Sequence, residues 1–262
     1  MLLAAMLCNV MVLSSVPCEV SIHMFDTAFE YYQHAEQYFN TNDFTATITG
    51  HTVPSIGKPQ VIYGIRQRSG EDFFFQTVVL GASTLGKNPS GALQRLRTDN
   101  NVICYRHFKP KAPKRRGDVV SIDFEKAEWI KCTPEEYKAK WKTNPESLTP
   151  FNITADTPSK ISREKNGNVT ATFYVDFEAA KDHVDNIKAS SNIGVKSGTF
   201  TITIVFDKNA RAIKITEHST YKMNILTSPT VTASITETIK YQSAAALSHS
   251  QKSNAGEFVY KY

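Results

Sequence analysis

An alternation with a period of two is the strongest constraint on how this chain can fold. Apolar residues fill most alternate positions, and Thr fills many of the positions between, in four C-terminal segments: 169–175, 199–206, 212–223 and 230–241. Successive side chains of a β-strand point to opposite faces of its sheet, so this pattern predicts strands with one buried face. Asn166 and Gly167 are a hairpin turn signal, and Asp207, Lys208 and Asn209 mark a second turn. These segments are expected to pair as antiparallel hairpins.

The N-terminal half predicts two helices and further strands, and a third helix follows over 177–189. A capping box of Thr27 and Glu30 begins the first helix, which covers about 26–39 and has its apolar residues on one face. Thr133 is the expected N-cap of the second helix. Strands are predicted at 44–48, 61–66, 72–80 and 102–108. A long loop is expected at 81–101, between the third and the fourth of these strands.

These patterns give about eight to ten strands and three helices, connected mostly by hairpins. No alternation of strand and helix is present, which argues against a parallel α/β fold. The expected fold class is α+β: a large curved antiparallel β-sheet, resembling half of a barrel, with about three helices packed on one face. We expect a single domain over residues 22–242, followed by a mobile tail over 243–262.

An apolar run occupies the N-terminus at Leu2–Leu13 and is interrupted only by Asn9. About a dozen apolar residues are too few for a membrane span but match the core of a secretory signal peptide. Residues 1–21 are therefore predicted to be a signal peptide that lacks the usual cationic start; the alternative is a buried strand or helix. The protein is expected to be extracytoplasmic, secreted or envelope-associated, with no transmembrane helix in the mature chain. Pro17 disfavours lipid anchoring at Cys18, because lipoprotein signals place a small residue before the acylated cysteine.

A mature chain would keep two cysteines, Cys104 and Cys132. In an oxidising compartment they could form one disulfide, and the equally weighted alternative is two separate buried thiols. The sequence has no CxxC or HExxH motif and no cluster of Cys and His. No metal site and no cofactor are therefore expected.

Positive charge is concentrated in one part of the chain. Residues 87–116 contain nine Lys or Arg and one acid, Asp99, whereas the net charge of the whole chain is +5. Five of the basic residues form a stretch expected to be an exposed loop that meets an anionic partner such as an envelope surface: Lys109, Lys111, Lys114, Arg115 and Arg116. A solvated loop without a partner is the alternative. Because aromatic residues are sparse here and no nucleic-acid motif is present, no nucleic acid is expected as a partner.

Two glutamates interrupt the apolar face of the last hairpin. Glu217 and Glu237 have the same odd-numbered parity as the apolar residues of their strands and are expected to point toward the apolar face. A turn near Thr227 would place the two carboxylates directly opposite each other. They are the weak candidates for catalytic residues, and four neighbours on this face are the candidates for binding an apolar ligand: Tyr221, Met223, Ile235 and Tyr241.

The order of elements resembles one family of exported proteins. An N-terminal helix precedes a meander, helices are inserted, and a Thr-rich hairpin series follows the cue Phe206–Asn209. Over about 24–241 this organisation resembles the lipoprotein-carrier superfamily, typified by LolA-like and LppX-like proteins. The resemblance implies a half-barrel sheet closed by helices around an apolar cavity. It is one of element order, and no functional residue is carried over from it.

Three classes of function remain open. The leading expectation is an exported, non-enzymatic binding protein that holds a lipid-like or other apolar ligand on its concave sheet face. The alternative is a structural or interaction module of the cell envelope without a small ligand. The third is an enzyme of unrecognised type that uses Glu217 and Glu237. Asp182, His183 and Asp185 are expected on the solvent side of the third helix, so no hydrolase triad is expected.

Overall fold

The computed structural model describes residues 24–82, 89–98, 102–191, 193–241 and 257–262. Its helices are α1 (Ala28–Thr41), α2 (Pro134–Trp141) and α3 (Lys181–Ser191). Its strands are β1 (Phe44–Pro54), β2 (Gln60–Ser69), β3 (Asp72–Gly81), β4 (Gly91–Thr98), β5 (Val102–Phe108), β6 (Val119–Asp123), β7 (Ile130–Cys132), β8 (Ser159–Arg163), β9 (Val169–Val175), β10 (Val195–Phe206), β11 (Ala212–Met223), β12 (Thr230–Tyr241) and β13 (Glu257–Lys261).

Eleven strands of the described chain form one antiparallel sheet that does not close, in the order β7-β5-β4-β3-β2-β1-β12-β11-β10-β9-β8. The sheet is therefore two meanders joined along a single seam between β1 and β12. Along this seam Phe44 pairs with Tyr241 at one end and Pro54 pairs with Val231 at the other. The α+β class with a large curved antiparallel sheet and few helices is confirmed.

All three helices pack on the same face of the sheet, which we call the helix face. Helix α1 begins with the predicted capping box: the Thr27 hydroxyl accepts from the Glu30 backbone N–H, and Glu30 accepts in return. Phe39 of α1 stacks on Phe44 of β1, with ring centroids 4.0 Å apart. Burial of aromatic and aliphatic side chains between helices and sheet supplies the main core of the fold.

A small second sheet covers the opposite, outer face of β2–β5. Strands β6 and β13 pair antiparallel, and Val120 and Ile122 of β6 are buried against this face. The Tyr63 hydroxyl donates to the backbone oxygen of Lys261, at 2.7 Å. The sequence placed 257–261 in a mobile tail, whereas the structure has a paired strand for these five residues.

Two further elements differ from the sequence predictions. Strand β4 lies within the segment 81–101 that was expected to be a loop, and helix α3 begins at Lys181 rather than at Phe177. None of the helices in the described ranges is long and apolar enough to cross a membrane. The predicted signal peptide, residues 1–21, and Cys18 lie outside the described residues.

Candidate functional site

Four arginines point into the helix face from strands β2 and β4. Arg66 and Arg68 alternate along β2, and Arg95 and Arg97 alternate along β4. Strand β3 lies between β2 and β4: Arg68 of β2 pairs with Phe73 of β3, and Phe73 pairs with Arg97 of β4. Because paired residues in an antiparallel sheet share a face, the arginines and aromatic rings alternate across the sheet. The side chains of three of the arginines stack on rings, with guanidinium-to-centroid distances of 4.8 to 5.6 Å.

Three of these arginines converge on one carboxylate, Glu146. Arg95 Nη2 donates to Glu146 Oε1 at 2.6 Å, and Arg97 Nε donates to the two carboxylate oxygens at 3.0 and 2.9 Å. Arg68 Nη2 lies 3.8 Å from Glu146 Oε2. Exposed Glu71 lies 3.8 Å from Arg97 at the edge of the cluster. Three guanidinium groups thus share one largely buried carboxylate, and Arg97 has exposed Glu71 as a second partner.

The fourth arginine has a carboxylate of its own. Arg66 donates through Nε to Glu237 Oε1 at 2.7 Å and through Nη2 to Glu237 Oε2, so the pair is bidentate. The Arg66 guanidinium also donates to the backbone oxygens of Pro145, Ser147 and Leu148. Arg66 thereby anchors the loop that presents Glu146 to the other arginines.

Several polar atoms of the cluster have no partner among the described residues. Arg95 is 2% exposed, yet its Nε and Nη1 make no hydrogen bond, and the same holds for Nε of Arg68 and the hydroxyl of Tyr137. Burial lowers the pKa of the Arg68 guanidinium, and the positive charge of Arg97 adds to this effect while Glu146 opposes it. A buried donor without an acceptor costs free energy that an incoming acceptor would recover.

Two of the four arginines, Arg95 and Arg97, form the floor of a groove of about 760 Å³. Its lining includes Arg95, Arg97, Ile103, Tyr137, Glu146 and Thr149. The rim comes from α2, α3 and the residues just before α3, and it carries exposed side chains of both signs. The rim includes three acids, Glu135, Glu178 and Asp182, and two bases, Lys138 and Lys181. Half-buried Glu36 of α1 also lines the groove, so the buried positive charge is confined to the floor at Arg95 and Arg97.

Another buried carboxylate lies on β11, the strand next to the one that carries Glu237. Glu217 of β11 accepts from the Ser219 hydroxyl at 3.0 Å, and its Oε1 lies 3.4 Å from His183 Nε2 of helix α3. Burial raises the pKa of Glu217, but His183 and Ser219 outweigh this, and the net shift is downward. His183 packs between the rings of Phe151 and Phe200. The expectation that His183 lies on the solvent side of its helix was therefore wrong.

The predicted opposition of Glu217 and Glu237 was also wrong. Both carboxylates are buried on the helix face, as the parity indicated, but Glu217 pairs with Ile235 and Glu237 pairs with Ile215. The turn between β11 and β12 is centred one residue earlier than expected, and this shifts the register by two. Each carboxylate has its own cationic or imidazole partner. The Ser219 hydroxyl donates to the Glu217 carboxylate and not to the His183 imidazole, so this group of residues does not activate a nucleophile.

Three of the four residues expected to bind an apolar ligand belong to the core or pack against it instead. Tyr221 is a buried member of the main core, and Met223 and Tyr241 pack against it. Ile235 is half-buried beside Gly50 of the neighbouring strand β1. None of the four lines the groove.

The five residues of the basic stretch are exposed, as expected: Lys109, Lys111, Lys114, Arg115 and Arg116. Cys104 and Cys132 are free thiols. They lie on adjacent strands, but Cys104 pairs with Lys131 and Cys132 pairs with Ile103, so their side chains point to opposite faces of the sheet. The structure thus has the two separate thiols rather than the disulfide. Within the described ranges, no group of three His, Cys, Asp or Glu side chains is placed to hold a metal ion.

Sequence reasoning missed the arginine floor, although its signal is present. Residues 66–68 and 95–97 both read Arg-x-Arg, and each pair has the parity of an inward-facing strand position. The local excess of basic residues was assigned to the exposed stretch after β5. Two of the nine, Arg95 and Arg97, belong instead to the buried floor.

Comparison with known proteins adds little to this geometry. No family model and no curated protein matches the chain. Among solved structures, the crystal structure of an N-terminal dehydratase from the difficidin assembly line aligns over 85% of this chain and 86% of that chain, with 10% sequence identity and a TM-score of 0.15. A TM-score of that size carries no argument about fold or function. The resemblance to the lipoprotein-carrier superfamily stays a prediction from element order.

Proposed function

We propose that this chain is a non-enzymatic binding protein that takes the anionic group of a ligand on the arginine floor of its groove. The observation that carries the proposal is Arg95, which is almost fully buried in the floor of the groove and whose Nε and Nη1 have no hydrogen-bond partner among the described residues. A guanidinium presents its donors as a planar fork that matches carboxylate and phosphate oxygens. The ligand class is therefore a carboxylate or a phosphate ester.

Glu146 supports this assignment because it is an internal example of the same chemistry. Its carboxylate receives hydrogen bonds from Arg95 and Arg97, the two arginines that line the groove. One carboxylate balances only one of the three positive charges of Arg68, Arg95 and Arg97. A second anion that entered the groove would add charge-assisted hydrogen bonds, which are stronger than neutral ones.

The proposal keeps the class of function expected from the sequence and changes the chemistry of the ligand. Three of the four residues that were expected to hold a lipid-like molecule, Tyr221, Met223 and Tyr241, pack into the core, whereas the groove is lined mainly by charged and polar side chains. We propose an extracytoplasmic location on the strength of the apolar run Leu2–Leu13 alone.

Anion rescue is the sharpest test. In Glu146→Gln the three arginines lose their shared carboxylate, and we expect the melting temperature to fall because a buried charge is left uncompensated. Inorganic phosphate or succinate should then raise the melting temperature of this variant more than that of the parent. Glu237→Gln is the matched control. It removes the carboxylate partner of Arg66, an arginine that does not line the groove, so the added anions should not raise the melting temperature of this variant.

Binding itself is measured by isothermal titration of the same two probes into the parent protein. Arg97→Gln should weaken binding by about tenfold or more, the size of one charge-assisted hydrogen bond. Arg106→Gln is the control, because Arg106 is a buried arginine on the outer face, where its Nε donates to Gln94. Equal loss in the two variants, or rescue of Glu237→Gln together with Glu146→Gln, would refute the proposal.

A further inference from the structure

Three loops lie at one end of the sheet, which we call the basic end. They are 55–59 between β1 and β2, 109–118 after β5, and 224–229 between β11 and β12. The registers place them together, because Pro54 pairs with Val231 and the last residue of β5, Phe108, pairs with Ala92 at the start of β4.

Hydrogen bonds tie these loops into one surface. Gly117 N–H donates to the backbone oxygen of Tyr262 at 2.7 Å, and the Tyr262 hydroxyl donates to the backbone oxygen of Pro59 at 2.8 Å. On the other side, Ser55 N–H donates to the oxygen of Thr230 at 2.7 Å, and Thr230 N–H donates to Ser55 Oγ at 3.0 Å. The basic stretch is thus held against the loops of the seam strands.

The charge of this surface is almost entirely positive. The three loops contain a single acid, Asp118, whose carboxylate accepts the backbone N–H groups of Lys114 and Arg115. These hydrogen bonds lower the pKa of Asp118 and shape the loop. Against this one acid stand six exposed basic residues: Lys58, Lys109, Lys111, Lys114, Arg115 and Arg116. The loops at the opposite end of the sheet are mixed and include acids such as Asp43, Glu71, Glu164 and Asp207.

The tips of two of the loops are apolar and stand in water. Leu226 is fully exposed, Ile225 is 42% exposed and Ile56 is 63% exposed. Isolated exposed apolar residues are ordinary, but here they project from the one end of the sheet that is also strongly basic.

We propose that the basic end docks on the surface of a bilayer that contains anionic lipids. The basic residues meet the phosphate groups, and Leu226, Ile225 and Ile56 enter the boundary between headgroups and acyl chains. A soluble polyanion would satisfy the charges but leave the three apolar tips in water. The inference does not depend on the groove or on what the groove binds.

Vesicle co-sedimentation of the full chain tests this. We expect binding to vesicles of phosphatidylcholine with phosphatidylglycerol and none to phosphatidylcholine alone. Lys114→Gln, Arg115→Gln and Arg116→Gln together should weaken binding by about 100-fold, at the usual contribution of one basic residue near an anionic surface. Leu226→Ser with Ile56→Ser should weaken it by about tenfold or more while all charges remain.

Two controls separate docking from general attraction. Lys165→Gln with Lys208→Gln removes exposed charges at the opposite end of the sheet and should leave binding unchanged. All substituted side chains are exposed, so the variants are expected to fold like the parent. An unchanged circular dichroism spectrum and an unchanged melting temperature check this. The inference is overturned if the parent does not sediment with anionic vesicles, or if the apolar-tip variant binds vesicles as well as the parent does. It is also overturned if heparin, a soluble polyanion, binds both the parent and the apolar-tip variant as tightly as anionic vesicles bind the parent.

Discussion

The buried pair of Arg66 and Glu237 makes the substitution Glu237→Gln informative. The two side chains are 7% and 10% exposed and are joined through two hydrogen bonds. Gln has nearly the same shape but offers one acceptor, and its amide N–H₂ would face a guanidinium N–H. The variant therefore removes the negative charge and sets donor against donor, while the positive charge of Arg66 stays buried.

The magnitude follows from what Arg66 retains. Breaking a buried ion pair by removing one partner typically costs about 3–5 kcal/mol. Arg66 keeps three backbone acceptors, at Pro145, Ser147 and Leu148, so we place the loss at about 3 kcal/mol, the lower end of that range. For a chain of this size that corresponds to a fall in melting temperature of about 6–12 °C.

Guanidinium-induced unfolding, followed by circular dichroism, measures the loss. Adding Arg66→Gln to Glu237→Gln should cost less than Arg66→Gln costs alone, with a coupling energy of about 1–3 kcal/mol in the double-mutant cycle. If Glu237→Gln leaves the stability unchanged or raises it, the pair does not stabilise the fold. Repulsion between Glu217 and Glu237 would then outweigh the attraction of Arg66.

Three further outcomes are expected. Burial raises the pKa of Glu217, but His183 and Ser219 outweigh this, so the folded-state pKa lies below the ordinary value of 4.5. The ionised carboxylate therefore stabilises the fold above about pH 4.5, and this contribution is lost as the pH falls through the folded-state pKa. In Glu217→Gln the unfolding free energy should fall less steeply with acidification, as measured by denaturant titration across this pH range. Gly50→Ala should destabilise by about 1–3 kcal/mol in denaturant titration, because a Cβ there would lie 2.8 Å from the backbone oxygen of Ser234. Thr133→Ala removes the cap of α2 and should lower the unfolding free energy by about 1 kcal/mol, with a β-sheet circular dichroism signal that persists.

Local patterns carried most of the fold. Strands β11 and β12 have the bounds that the alternation predicted, because on those strands the inward positions are mostly apolar and the outward ones mostly polar. The caps of α1 and α2 were read from Thr27 and Thr133, since an N-cap depends on residues within one turn. The register of β11 and β12 was not recoverable, because it depends on where a six-residue turn is centred and not on the strands themselves.

Strand β4 was missed for a reason that also explains the missed site. Its inward positions include Arg95 and Arg97, so the apolar alternation that identifies a strand is absent there. Whether an arginine is buried depends on an acceptor elsewhere in the chain, here Glu146, some 50 residues away. A pattern confined to one strand cannot contain that information.

The seam between β1 and β12 sets the order in which this chain can fold. During synthesis β1 leaves the ribosome nearly 200 residues before its partner strand is complete. Before β12 is complete, the first meander can form the β1–β2 and β2–β3 hairpins. The other edge of β1 stays unpaired during this time, and an unpaired strand edge can pair with another chain and cause aggregation. Pairings this distant in sequence also close slowly. We therefore expect refolding to be slow and concentration-sensitive, with aggregation competing until the segment 230–241 seals the sheet.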